Sequence, residues 1–274
     1  MVGAVAGIDH GVAVVAVSSR LLHALIRPPS RSLERCELLH LPRTAFDFER
    51  ARAQHDAYGQ ALRDAGVSVT VLPEAPKLPD AVFVEDAVVL LDECAVLCRP
   101  GVASRRAEVD LIRSAVERIR IVSEIAAPGT LEGGDVLAIG RTVFVGRSTR
   151  TNGEGIEQLR RQIAPHGYEV REVAVRGSLH LKTAVTAPAA GLLIANPAWI
   201  DASAFAGFEV ISVPPDEPFG ANTLPINRRV LVAASAPRTA EVLTMRGLDV
   251  RPVDISELQK AEAGLTCLSV LWAR

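Results

Sequence analysis

Four stretches of the chain share a pattern in which a glycine precedes a valine-rich alternation of apolar and polar residues. They begin at Gly66, Gly167, Gly207 and Gly247. Glycine is favoured just after a helix because it adopts a positive φ readily, and an alternation with a period of two is typical of a half-buried strand. Each stretch therefore predicts a helix end followed by a strand, and residues 119–125 form a fifth copy without the glycine.

The same pattern predicts a hairpin and then a helix before these strands. The predicted hairpins cover 87–97, 136–145, 183–195 and 223–233. The predicted helices cover 104–118, 151–164, 201–206 and 239–246, with Ser104 and Thr151 as candidate N-terminal caps. The repeating unit is thus strand, strand, helix, strand, and the last three copies follow one another at intervals of 40 residues.

A fifth unit can be assembled from the two ends of the chain. It would combine a strand at 24–27, a helix at 46–62 and the apolar segment 267–272. Repeats of this length predict a closed, propeller-like array, and pairing of the first and last strands would protect the apolar C-terminus. We expect one domain over residues 1–274, with residues 1–20 as a loose extension. An ordinary α/β sheet with coincidental spacing is the alternative.

Composition narrows the classes of partner. The 30 basic and 32 acidic side chains leave a formal net charge of -2, which does not favour nucleic acid or an anionic membrane. No apolar run approaches the roughly 20 residues of a membrane span. Nucleotide-binding glycine motifs and metal-ligand spacings among the six histidines are absent from the sequence. We therefore expect a cytoplasmic protein that binds a small molecule and needs no cofactor or metal.

The four cysteines include no CxxC pair, so we expect free thiols in a reducing compartment. Cys267 lies in an apolar run, where a cysteine is more often a small core residue than a nucleophile. His180 stands between two leucines, and a lone histidine in such a place is usually structural.

Acidic residues interrupt two otherwise apolar segments. Asp80, Glu85 and Asp86 surround an apolar strand, where buried carboxylates need arginine partners or a cationic ligand such as a guanidinium. A turn followed by acidic strand ends would explain the same string without a site. Glu132 and Asp135 enclose two glycines at the start of a hairpin, and a tight turn would account for these residues.

Taken together, seven strings resemble the dimethylarginine dimethylaminohydrolases of the guanidine-modifying superfamily in order and spacing. The strings are 79–86, 99–101, 104–110, 131–136, 144–152, 179–182 and 265–269, and the resemblance covers roughly residues 20–272. It implies a five-bladed α/β propeller of strand, strand, helix, strand units. It also implies a hydrolase that acts on carbon–nitrogen bonds other than peptide bonds and converts N-omega-methylated L-arginines to L-citrulline and dimethylamine or methylamine.

The resemblance also assigns roles to individual residues. It makes Cys267 the nucleophile of a covalent thiouronium intermediate, His180 the general acid and base, and Glu132 the carboxylate that orients His180. The residues implied to bind the substrate are Asp80, Glu85 and Asp86 for the guanidinium, Arg105 and Arg150 for the α-carboxylate, and the Ala261 backbone with the Glu262 side chain for the α-amino group. A Pro-rich turn at 27–31 implies that residues 20–43 form a lid.

The sequence leaves other functions open, one of which is hydrolysis of a different N-substituted guanidine. Arginine deiminases resemble the same pattern but have an aspartate where this chain has Lys182, which would not bind the free NH2 groups of arginine. A non-catalytic binder of arginine derivatives is disfavoured because Cys267, His180 and Glu132 are all present. The sequence is compatible with a monomer or a homodimer.

Overall fold

The computed structural model describes residues 21–274, so the loose extension expected over residues 1–20 lies outside the described residues. The strands are β1 (Leu22–Ile26), β2 (Ser68–Val71), β3 (Val88–Leu90), β4 (Cys94–Leu97), β5 (Ile121–Glu124), β6 (Val136–Ile139), β7 (Thr142–Arg147), β8 (Glu169–Ala174), β9 (Val185–Ala189), β10 (Leu192–Ala195), β11 (Glu209–Ser212), β12 (Leu224–Ile226), β13 (Arg229–Ala233), β14 (Asp249–Val253) and β15 (Val270–Ala273). The α-helices are α1 (Phe48–Asp64), α2 (Asp110–Glu117), α3 (Gly153–Ile163), α4 (Leu181–Ala184), α5 (Pro237–Met245) and α6 (Ser256–Gln259).

These strands form five three-stranded sheets, which are the blades of a pseudo-symmetric α/β propeller. In each blade the middle strand pairs antiparallel with one neighbour and parallel with the other. In the blade of β3, β4 and β5, for example, Val88 lies opposite Leu97 and Cys94 lies opposite Ile121. A helical segment precedes the parallel strand of every blade. The predicted unit and propeller are confirmed, and the alternative of one ordinary α/β sheet is wrong for residues 21–274.

The two ends of the described chain meet in one blade. Strand β15 pairs antiparallel with β1, with Val270 opposite Leu25, and β1 pairs in parallel with β2. Strand β15 thus takes the position that β3, β6, β9 and β12 hold in the other blades. The predicted closure by the first and last strands is confirmed.

Local sequence signals explain where most elements begin and end. Gly66, Gly167, Gly207 and Gly247 all have positive φ, between 79° and 98°, as predicted for residues that leave a helical segment. Two predicted caps are wrong by a residue or more, because Asn152 caps α3 and Ser104 lies inside a 3₁₀ segment, 103–108, that precedes α2. The predicted helix over 201–206 is a single 3₁₀ turn, Ala202–Phe205.

The core fills the space within and between blades. One cluster packs Tyr58 and Leu62 of α1 against Ala24 of β1 and Leu231 of β13, and it also includes Cys267. All four cysteines are buried and unpaired, which confirms the expected free thiols. Among residues 21–274, no helix is both long enough and apolar enough to cross a membrane.

In four blades, a short helical turn precedes the strand that pairs antiparallel with the middle strand. These turns are Val84–Ala87 before β3, Gly133–Asp135 before β6, α4 before β9 and Thr266–Leu268 before β15. Hydrogen bonds join the four turns across the blades, because Thr266 reaches Glu85, Gly134 reaches Asp86, and Leu181 reaches Asp135. The closed propeller thereby brings together segments that are far apart in the sequence.

Candidate active site

His180 and Glu132 form a buried pair at the centre of these turns. His180 Nε2 lies 2.7 Å from Glu132 Oε2, and the two residues are 2% and 0% exposed. The glycines after Glu132 make the pair possible. A Cβ atom on Gly134 would lie 2.6 Å from His180 Nδ1, and one on Gly133 would lie 2.0 Å from the Glu85 carbonyl oxygen. The double glycine therefore permits close packing at the site as well as forming a turn.

The surrounding carboxylates favour a protonated His180. Burial opposes this, but the charge of Asp86, the hydrogen bond with Glu132 and the charge of Asp135 together raise the pKa of His180 to about 9. Burial would by itself raise the pKa of Glu132, but His180 and the nearby arginines outweigh it and lower that pKa to about 2. At neutral pH the pair is an imidazolium and a carboxylate, so His180 can donate a proton.

Arg105 and Arg150 lie against the same carboxylates. Arg105 Nη1 is 2.9 Å from Asp86 Oδ2 and 3.6 Å from Glu132 Oε2, while its Nη2 is 2.9 Å from Glu108 Oε2. Arg150 Nη1 is 3.4 Å from Glu132 Oε1. Both arginines are buried and balance acidic charge in the structure. Their expected contact with a substrate α-carboxylate stays a prediction, and Glu108 is a member of the network that sequence reasoning missed.

Glu85 is held by a lysine and a hydroxyl group. Lys182 Nζ lies 2.5 Å from Glu85 Oε1, and Thr266 Oγ1 donates to Glu85 Oε2 at 2.8 Å. Asn222 braces both neighbours, since its Nδ2 donates to the Lys182 carbonyl and to Thr266 Oγ1. Burial raises the pKa of Glu85, and Lys182 opposes that rise. Lys182 thus neutralises one carboxylate of the predicted guanidinium pocket.

Cys267 follows Thr266 and is buried, with 7% of its surface exposed. Its Sγ accepts a hydrogen bond from the Gly264 backbone N–H at 3.3 Å. Burial and the charges of Glu85 and Asp86 raise the pKa of the thiol to about 12. The thiol is therefore protonated at neutral pH, and a cation bound between the sulfur and these carboxylates would favour the thiolate.

Asp80 lies at the edge of this cluster. Both of its carboxylate oxygens are 3.2 Å from the Glu37 backbone N–H, and its carbonyl oxygen accepts from Arg105 Nη2 at 3.5 Å. Burial raises the pKa of Asp80 to about 6. Asp80 therefore connects the arginine network to the segment that was predicted to form a lid.

Glu262, which follows Ala261, also contacts that segment. Glu262 Oε1 accepts hydrogen bonds from the backbone N–H groups of residues 39–41, at 2.5–3.0 Å. Glu262 has a φ of 59°, and Ala261 before it is buried. The carboxylate thus fastens the loop after the 3₁₀ turn Arg31–Arg35. Contacts of Ala261 and Glu262 with a substrate amino group stay predictions, as does the lid.

Asp86, Glu132 and His180 also lie close enough to suggest a metal site. One ligand atom from each falls within 4.8 Å of the others. Arg105 contacts both carboxylates, however, and Arg150 contacts Glu132, so guanidinium groups already supply positive charge there. A metal cation would be repelled by these groups and by the protonated ring, which makes the cluster a poor fit for one.

Known proteins resemble this chain over most of its length. A family model described as N,N dimethylarginine dimethylhydrolase, eukaryotic, matches residues 44–194. The N(G),N(G)-dimethylarginine dimethylaminohydrolase of Streptomyces coelicolor is 44% identical over 250 residues, which cover 90% of this chain and 95% of that protein. The Pseudomonas aeruginosa enzyme of the same name is 37% identical over 251 residues, covering 90% and 98%.

A solved structure shows the same likeness in three dimensions. It is that of a cysteine-to-serine variant of the Pseudomonas aeruginosa protein in complex with citrulline. The two folds superpose with a TM-score of 0.84 at 35% sequence identity, covering 91% of this chain and 98% of the other.

Proposed function

Since this chain belongs to the dimethylarginine dimethylaminohydrolase family, whose members hydrolyse carbon–nitrogen bonds other than peptide bonds, we propose that it acts on N-omega-methylated L-arginines. Asymmetric dimethylarginine and monomethylarginine would give L-citrulline with dimethylamine or methylamine. The observation that carries this proposal is the buried His180–Glu132 pair beside Asp86, whose charge also acts on the Cys267 thiol.

The acidic groups of the site suit a cationic guanidinium. Burial raises the pKa of the Cys267 thiol, and the negative charges of Glu85 and Asp86 raise it further. A guanidinium bound there would offset the effect of the two carboxylates and favour release of the thiol proton to solvent, which leaves the thiolate. The substrate itself thereby activates the nucleophile, and the free enzyme keeps an unreactive thiol.

The proposed reaction has two steps. The Cys267 thiolate attacks the guanidinium carbon, and protonated His180 gives its proton to the departing methylated amine, which leaves a thiouronium group on the sulfur. Neutral His180 then takes a proton from water as the water oxygen attacks the same carbon. The carbon–sulfur bond breaks as the hydroxyl proton of the tetrahedral intermediate passes to the sulfur, and citrulline and the Cys267 thiol are released. Glu132 stabilises the imidazolium and fixes its orientation in both steps.

Lys182 supports a methylated substrate over arginine. It occupies the position of a second carboxylate in the deiminases and neutralises Glu85 instead of offering a free acceptor. An alkylated nitrogen has fewer N–H groups to satisfy than the free end of arginine, so such a pocket favours alkylation.

The test is citrulline release from asymmetric dimethylarginine, monomethylarginine and arginine, measured in parallel. We expect turnover of the methylated compounds only, with activity lowered at least 1,000-fold by Cys267→Ser because a hydroxyl is a poor nucleophile here. Cys94→Ala is the matched control, since Cys94 is a buried cysteine of β4 whose side chain belongs to another core cluster.

Each outcome has a definite meaning. Preference for arginine would overturn the proposed substrate and favour a deiminase. Turnover of another N-alkylguanidine alone would replace methylated arginines as the proposed substrate class. Equal activity of wild type and Cys267→Ser would show that Cys267 is not the nucleophile.

A further inference from the structure

Asp135 is a buried carboxylate to which the proposed mechanism gives no part. It is 0% exposed and ends the turn Gly133–Asp135 that begins just after Glu132. Its Oδ1 accepts a hydrogen bond at 2.9 Å from the backbone N–H of Leu181, the residue that follows His180. Asp135 therefore holds the chain directly beside the imidazole.

The second carboxylate oxygen of Asp135 is linked through Ser148 to Arg150 and Thr151, both of which contact Glu132. Ser148 Oγ donates to Asp135 Oδ2 at 2.6 Å and accepts from the backbone N–H groups of Arg150 and Thr151 at 3.0 and 3.2 Å. Thr151 Oγ1 accepts from the Glu132 N–H at 3.2 Å. Together with the contact between His180 and Glu132, these bonds close a ring through Asp135.

The neighbouring strand makes room for this arrangement. Gly146 lies in β7, and a Cβ atom there would be 2.6 Å from Asp135 Oδ1 and 2.8 Å from Leu181 Cβ. Any larger residue would push the carboxylate away from the Leu181 N–H.

Charge gives Asp135 a second effect on His180. The acidic groups that favour the protonated ring are Asp86, Glu132 and Asp135. Of the cations nearby, Arg105 contacts Asp86 and Glu132, Arg150 contacts Glu132, and Lys182 is paired with Glu85. Burial raises the pKa of Asp135 to about 6, so Asp135 remains ionised in the pH range where His180 loses its proton.

We propose that Asp135 is a positioning residue that fixes His180 against Glu132 through this ring and stabilises its protonated form. Asp135 acts through the Leu181 backbone and Ser148 and needs no contact with substrate. The effect of Asp135 on catalysis rests on the proposed function, whereas its effect on the position and protonation of His180 does not.

The first test therefore uses the free protein. Histidine is labelled with ¹³C, the NMR signal of His180 is identified by its loss in His180→Gln, and its titration is followed in wild type, Asp135→Asn and Asp249→Asn. Asn keeps an oxygen for the Leu181 N–H but removes the charge. We expect the midpoint of His180 to fall by about one pH unit in Asp135→Asn. Asp249 lies on the exposed strand β14, so its variant should match wild type.

A second variant separates geometry from charge and serves if Asp135→Asn does not fold. Ser148→Ala keeps the Asp135 charge and breaks the ring. With asymmetric dimethylarginine we expect kcat to fall about tenfold or more and KM to change less than twofold, while the His180 midpoint falls less than in Asp135→Asn. An unchanged midpoint in Asp135→Asn overturns the electrostatic role, and an unchanged kcat in Ser148→Ala overturns the positioning role. Wild type without turnover would instead count against the proposed function.

Discussion

Lys182 and Glu85 show how single residues shape this site. The two side chains are 14% and 11% exposed, so water does little to screen either charge. Breaking such a pair from one side leaves an uncompensated buried charge. The lysine therefore stabilises the protein through the carboxylate that it neutralises.

We predict that Lys182→Met lowers the free energy of unfolding by about 3 kcal/mol at pH 8. Without Lys182, burial raises the folded-state pKa of Glu85 further above its unfolded value. A group with a raised folded pKa disfavours folding when it is ionised, so the loss should shrink as the pH falls through that pKa. Urea unfolding of both proteins at pH 8 and pH 5 measures this difference.

The double variant Glu85→Gln/Lys182→Met is the control for this prediction. It removes both charges and should recover most of the stability that Lys182→Met loses at pH 8. A single variant as stable as wild type at pH 8 would contradict the assignment of a tightly paired Glu85.

At the scale of elements, the short helical turns that precede β3, β6, β9 and β15 hold or adjoin the central residues of the candidate site. The turn Gly133–Asp135 is three residues long, yet it touches the neighbouring turn through Asp86 and the His180 loop through Asp135. Its glycines are needed because atoms of other blades occupy the positions of the missing side chains.

Gly134→Ala should lower kcat for asymmetric dimethylarginine by about 100-fold, since the added Cβ would lie 2.6 Å from His180 Nδ1 and 2.8 Å from Asp86 Oδ1. Gly140→Ala is the matched control. Gly140 lies in the turn between β6 and β7 with a φ of 60°, and nothing lies within 4 Å of an added Cβ. That variant should lose about 1 kcal/mol of stability through backbone strain and keep its kcat. Equal activity of the two variants would contradict the packing argument.

The sequence predicted these elements more accurately than it predicted their ends. The hairpin strands and the glycines that lead into the outer strands follow from local patterns, and the structure has them where expected. Cap positions such as Asn152 in place of Thr151 depend on which side chain reaches a free N–H group of the first turn, here that of Gly155. Moving the cap by one residue changes which side chain reaches that N–H group, but it leaves the pattern of apolar and polar residues unchanged.

At the scale of the molecule, closure of the propeller depends on β15. This strand covers β1 and buries Val270 in the cluster that contains Leu25 and Val88. It also ends the segment that carries Cys267. The blade that contains β15 therefore closes the propeller and also positions the segment of the proposed nucleophile.

Removal of residues 270–274 should lower the free energy of unfolding by at least about 3 kcal/mol, because β1 becomes an unpaired edge and Val270 leaves the core. Removal of Arg274 alone, which is exposed, is the control and should change stability by less than about 0.5 kcal/mol. Denaturant unfolding monitored by circular dichroism compares the three proteins. A truncated protein that unfolds with the wild-type midpoint would contradict the role of closure.

The sequence by itself determined the repeating unit, the five-bladed ring and the residues that resemble a guanidine-modifying site. Periodicity and turn glycines are local properties, so they can be read without knowledge of contacts. Only the tertiary structure decided how the buried charges are balanced: Arg105 against Asp86 and Glu108, Lys182 against Glu85, and Asp135 behind His180. Most of these partners lie tens of residues apart, and the electrostatic stability of each depends on distances that only the closed ring sets.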